Sequence, residues 1–179
     1  MKKWLLIFCC VLISSCNSVS IEDYAEEQPA LDLNAFFSVP VKAWGIFQDR
    51  SGQVIKRFDV DITSHHEGEN LILDERFVYS DGHTDRRVWT LTPDGEKRWR
   101  GTADDVVGEA KGELAGNALR WRYQLNLPVD DTTYVVTFDD WMYLMDRDTM
   151  INRASMSKLG VELGQVTLFF RRQADAGTR

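Results

Sequence analysis

Beyond residue 40, segments rich in Val, Ile, Thr, Trp and Phe recur about every ten residues, separated by short turn signals. Among the turn signals are Ser51-Gly52, Asp81-Gly82, Pro93-Asp94-Gly95, Gly116-Asn117 and Leu159-Gly160. Regular spacing of this kind predicts an all-β antiparallel barrel of about eight to ten strands. The stretch VGEAKGELAGNALRWRYQL, residues 106–124, makes the case most sharply. With Gly116-Asn117 as a two-residue hairpin turn, Leu114 faces Leu119, Gly112 faces Trp121 and Ala110 faces Tyr123. Glu113 and Arg120 then meet on the opposite, polar face, as a charge pair. A slip of one residue would turn every aromatic outward, so the register is well specified. Small residues on one strand clear space that large ones on the next strand fill.

A second hairpin joins LILDERFVY (71–79) to HTDRRVWTL (83–91) through Ser80-Asp81-Gly82. Glycine at the left-handed position of a three-residue loop pairs Leu73 with Trp89 and Glu75 with Arg87. Glu75 and Arg87 therefore share a face with Phe77 and Trp89, while Ile72, Asp74, Arg76 and Arg86 face solvent. Charges are seldom buried unless paired, so an ion pair on an apolar face marks either a structural salt bridge or a ligand anchor. Only Leu31 to Ser38 reads as helical, a short N-terminal turn that would close one barrel end with Phe36 and Phe37.

The first residues follow another rule. Met1-Lys2-Lys3 precedes an apolar run from Trp4 to Ile13, and Ser14-Ser15-Cys16 follows. That run is too short to span a bilayer as a helix and reads as a signal peptide over residues 1–15. Cysteine directly after two serines matches a bacterial lipoprotein signal, in which Cys16 is acylated, with palmitate among the chains such a site takes. Asn17 in place of aspartate points to the periplasmic face of the outer membrane. Residues 16–30, polar and acidic in SVSIEDYAEEQP, read as a lipidated tether, and residues 31–173 as the barrel. Losing Lys2 and Lys3 would take the net charge from −7 to −9, a poor match for nucleic acid.

LDERF (73–77), RVW (87–89), GTA (101–103), GNA (116–118), FDDWM (138–142) and NRA (152–154) resemble an uncharacterised family of bacterial lipocalin-like lipoproteins, across the whole mature domain. The resemblance implies a lipocalin-like barrel and a periplasmic lipoprotein, and no particular activity. It also implies a first-strand tryptophan covered by a late-strand arginine, here Trp44 with Arg153 or Arg171, by cation–π contact.

The chain has no Gly-x-Ser-x-Gly elbow, phosphate loop or dinucleotide fingerprint, and no cofactor is expected. His65, His66 and His83 sit at strand ends or turns and are expected to be solvated rather than metal ligands. Asp139 and Asp140 are neighbours on a strand and should point to opposite faces; Asp140 with Asn152, Arg153 and Lys158 forms a polar group. Three function classes remain. The first is a membrane-anchored binder of a fatty acid or other apolar molecule, lined by Glu75, Phe77, Arg87, Trp89, Trp121, Tyr123, Asp140 and Arg153. The second is an envelope assembly factor with a filled barrel. The third is an acid–base enzyme built on Glu75 or Asp140.

Overall fold

Ten antiparallel strands close into a barrel in which each strand pairs with its sequence neighbours and β1 pairs with β10. The computed structural model describes residues 18–129 and 131–174; residues 1–15 and Cys16 lie outside the described residues. The strands are β1 (Val41–Asp49), β2 (Val54–Glu67), β3 (Asn70–Tyr79), β4 (Thr84–Pro93) and β5 (Arg98–Thr102). They continue as β6 (Ala110–Ala115), β7 (Ala118–Val129), β8 (Thr132–Leu144), β9 (Thr149–Lys158) and β10 (Val161–Arg172). Closure leaves no edge strand exposed to another chain.

The second hairpin adopts the expected register, and the first does so from its turn back to Lys111. Beyond that, the pairing of Gly108 with Leu125 that the same register predicts is replaced by a Val106–Leu125 bridge, because Gly108 turns the chain at φ 71°. Gly112 pairs with Trp121 and Leu114 with Leu119 across a turn where Gly116 has φ 51°. Leu73 pairs with Trp89 and Glu75 with Arg87 across a loop where Gly82 has φ 85°. The Trp121 indole lies flat over the backbones of Gly101 on β5 and Gly112 on β6. A Cβ at either glycine would run into that ring, which is why small residues line up against large ones here.

One end of the barrel is closed. Helix α1 (Leu33–Phe36), capped by the Asp32 carboxylate on the Ala35 amide, buries Phe36 and Phe37 beneath the start of β1. The turn expected from Leu31 to Ser38 is therefore present and plugs that end. Preceding it, residues 18–30 depart from the expected tether. Ser20 and Asp23 form a capping box on a turn of 3-10 helix, Ile21–Tyr24. Ile21 packs with Ala115 and Ala118, and Tyr24 lies against Trp141 and Tyr143. Averaged over its acidic composition, this segment hides the two residues that dock it.

Three further expectations are corrected. Trp44 is 47 % exposed on the outer wall beside Phe169, because alternation puts Ala43 and Gly45 inside, and no described arginine covers it. Arg120 pairs diagonally with Asp139 at 2.5 Å, and Glu113 with Arg122, so the polar faces of these strands are laced two residues away from the direct cross-strand partner. Ile72, expected in solvent, is buried.

Candidate functional site

Strand alternation lines the barrel with one continuous set of side chains. Phe58, Val60 and Ile62 come from β2, Leu73, Glu75 and Phe77 from β3, and Arg87, Trp89 and Leu91 from β4. Opposite them stand Trp121, Tyr123 and Leu125 of β7, Phe138, Asp140 and Met142 of β8, and Asn152, Ala154 and Met156 of β9. Together they enclose a cavity of about 650 Å³, in the range of small-molecule sites. Leu33 and Phe37 form its floor. At the other end, where β1 turns into β2, β3 into β4 and β7 into β8, the lining reaches Ile55, Lys56, Tyr79 and Val129.

Aromatic rings brace the walls. Trp89 meets Trp121 and Tyr123 edge-on, at centroid distances of 5.7 and 5.4 Å, and Tyr123 stacks on Phe138 at 5.2 Å. Within this apolar shell sits a polar group at mid-height. Asp140, 7 % exposed, accepts a long hydrogen bond of 3.5 Å from the Tyr123 hydroxyl on Oδ2, and its Oδ1 has no partner among the described residues. Asn152, 1 % exposed, has neither its amide oxygen nor its nitrogen satisfied there. Such groups are rare in folded interiors and call for an explanation.

Arg87 is not paired with Glu75 as a salt bridge, although the two residues are cross-strand neighbours. Its guanidinium takes Asp105 instead, with Nη2 donating to Oδ2 at 2.6 Å and Nε donating at 3.0 Å. Asp105 belongs to the connection between β5 and β6. That connection is stitched to β7 by the Asn126 amide on the Asp105 carbonyl and the Val107 amide on the Gln124 carbonyl. Arg87 also lies over the Phe77 ring at 5.7 Å. Glu75 is left facing the cavity with no hydrogen-bond partner among the described residues.

These environments reset two acids. Burial pushes the Glu75 carboxyl up to about 7, against the pull of the Arg87 charge and aided by Asp105 and Asp74. Burial, reinforced by the Asp139 charge, pushes Asp140 up to about 8, although the Tyr123 hydroxyl and Arg87 oppose it. Burial also raises the Tyr123 phenol well above its ordinary value.

Of the residues expected at the site, Glu75, Phe77, Arg87, Trp89, Trp121, Tyr123 and Asp140 line the cavity. Arg153 does not: it points outward and its guanidinium binds the Gln165 side-chain oxygen at 3.0 Å. Asn152 faces inward, so its sequence neighbour must face out. Lys158 lies outside as well, over the Tyr134 ring at 3.9 Å. Sequence reasoning missed Asp105, which reaches Arg87 from a loop eighteen residues downstream. Asn152 was legible in the alternation of NRASM, where Asn152, Ala154 and Met156 are the buried members. His65 meets Glu67 at 3.1 Å on the exposed surface.

Comparison with solved structures places the barrel among known folds. It superposes on the S-type phycobiliprotein lyase of Guillardia theta with a TM-score of 0.59 at 8 % identity, covering 81 % of this chain and 94 % of that one. It also superposes on a protein of unknown function of the DUF3598 family from Nostoc punctiforme, with a TM-score of 0.58 at 13 % identity. That match covers 82 % of this chain but 51 % of the Nostoc protein, so this chain spans about half its length. Likenesses at such low identity establish the fold alone, a lipocalin-like barrel. No curated protein matches the sequence. Residues 10–172 match the model of the family described as protein of unknown function, DUF3833, and the chain belongs to that family.

Proposed function

We propose that this chain binds an apolar small molecule inside its barrel, while an acylated Cys16 holds it at the periplasmic face of the outer membrane. The observation that carries the binding reading is the cavity itself: about 650 Å³, floored by α1 and walled mainly by aromatic and aliphatic side chains. An envelope factor with a filled barrel would need no such space. The unfloored end carries exposed apolar residues, among them Val54, Ile55, Val129, Val161 and Leu159, the last 96 % exposed. An apolar rim of this kind suits transfer of a ligand to or from lipid. Ser18 and Val19, the described residues nearest Cys16, flank an outer groove that runs from Tyr24 and Tyr143 to Glu162 and Gln165. An anchor leaving along that groove would hold the rim toward the membrane.

Ala154, buried on the cavity wall, offers the test. The purified full chain is expected to take up a fluorescent apolar probe such as N-phenylnaphthylamine. Ala154→Phe should abolish uptake by filling the space, while near-ultraviolet circular dichroism stays that of a folded barrel. Uptake unchanged in a folded Ala154→Phe chain would remove the cavity as the site. The anchor has its own measurement. Mass spectrometry of the processed chain is expected to find acyl mass on Cys16, and an unacylated terminus would end that part of the proposal.

One observation favours a second reading. Carboxyls at about 7 and about 8 inside a ligand-sized cavity are poised for proton transfer near neutral pH, as an acid–base enzyme requires. Recovery of the bound molecule unchanged after long incubation separates a binder from such an enzyme.

A further inference from the structure

Resting on the binding reading above, we infer that the polar middle of the barrel receives the nitrogen of an amphipathic amine, an apolar molecule ending in a charged N–H donor. Arg87, the cation at mid-height, has its charge offset by Asp105, whose two oxygens take its Nε and Nη2 edge. Its pull on an anionic headgroup is therefore weakened, although its Nη1 side stays open. Once the two acids ionise, what remains open is mostly acceptor: Asp140 Oδ1, Asn152 Oδ1 and the whole Glu75 carboxyl, against Asn152 Nδ2 as an unpartnered donor.

A hydrocarbon tail pushed past Val129 would end on these groups and leave them dry and unpaired. An ammonium there would donate to them and restore the charge that burial suppresses. The titratable groups at mid-height are Glu75 from β3, Arg87 from β4, Tyr123 from β7 and Asp140 from β8, with Asp105 held behind Arg87 in the loop beyond β5; Lys56 and Tyr79 line the mouth. With every acid ionised, three carboxylates stand against the single guanidinium of Arg87, so the mid-height set is net negative. A fatty acid, the ligand first suggested by the sequence, would have to bring a further negative charge into it. Its alternative is to lie with its carboxylate at the mouth beside Lys56, whose ammonium sits over the Tyr79 ring at 5.2 Å.

Three probes of one chain length decide between these arrangements: dodecylamine, dodecanol and dodecanoic acid, each titrated below micelle formation into the full chain. Quenching of Trp89 and Trp121 fluorescence reports occupancy. The amine is expected to bind at least about tenfold more tightly than the alcohol, and the acid more weakly than either. Between pH about 6 and about 9 the amine stays cationic while Glu75 and Asp140 ionise, so amine affinity should rise and alcohol affinity stay level. Glu75→Gln with Asp140→Asn, close to isosteric, should bring the amine down to the alcohol's affinity. The wild-type pH profile gives the same answer should that variant fail to fold. Equal affinity for amine and alcohol at all pH values overturns the inference and leaves the binding reading standing. Preference for the acid overturns it in favour of Lys56. If none of the three binds, both the inference and the binding reading fall.

Discussion

Raising the pH from about 5 to about 9 is expected to lower the thermal midpoint of the ligand-free chain, and Glu75→Gln with Asp140→Asn is expected to flatten that fall. Both acids are raised in the folded protein, Glu75 from 4.5 to about 7 and Asp140 from 3.8 to about 8. The folded state therefore binds more protons than the unfolded state between those limits. Stability is full below the unfolded values and declines as pH rises through the folded ones. Each pKa unit is worth about 1.4 kcal/mol, so the two groups together represent a loss of several kcal/mol, to order of magnitude. On the acid side the sign reverses. Hydrogen bonding from Arg86 holds Asp74 below its ordinary range, and that contribution vanishes as pH falls through its folded value. Maximum stability should lie below neutrality, where Asp74 is ionised and the interior acids are not. A thermal midpoint that stays level or rises over the upper range would mean that the interior acids are hydrated or paired, contrary to their geometry.

What the sequence made legible follows a physical boundary between local and non-local order. Hairpin registers were readable because turn chemistry and period-two alternation are local: Ser80-Asp81-Gly82 alone sets Glu75 opposite Arg87. The same rule gave the inward face of β7, where Trp121, Tyr123 and Leu125 all reach the cavity. It also excluded Arg153, since a residue next to inward-facing Asn152 must face out, but grouping residues by sequence nearness overrode it. The ion pairs were not legible. Arg87 chooses Asp105 over Glu75 because two backbone hydrogen bonds to β7 hold the loop beside it, a contact that no spacing encodes. Arg120 likewise takes Asp139 from the strand on its other side rather than Glu113, its direct neighbour on β6. In a barrel every strand has two neighbours, and a hairpin read in isolation supplies only one.

Removing Arg87 should therefore behave differently from the way a Glu75–Arg87 bridge would require. Arg87→Met strips Asp105 of its counter-ion and takes away the cation that restrains both interior acids. Breaking a well-buried pair costs about 3–5 kcal/mol; this one keeps side-chain exposures of 25 % and 35 %, so screening by solvent reduces the cost to about 1–3 kcal/mol. Arg87→Met with Asp105→Leu should recover most of that loss, because no charge is left without its partner. Arg87→Met with Glu75→Leu should not, because Asp105 remains unpaired. Chemical denaturation of the four chains in each cycle gives the two coupling energies directly. The contrast should be sharpest below pH about 6, where Glu75 is mostly protonated and has little charge to couple to Arg87. Greater rescue by the Glu75→Leu double variant than by the Asp105→Leu one would show that Glu75, not Asp105, is the arginine's partner. The acceptors left open at the centre of the barrel would then be fewer, and the case for a cationic ligand correspondingly weaker.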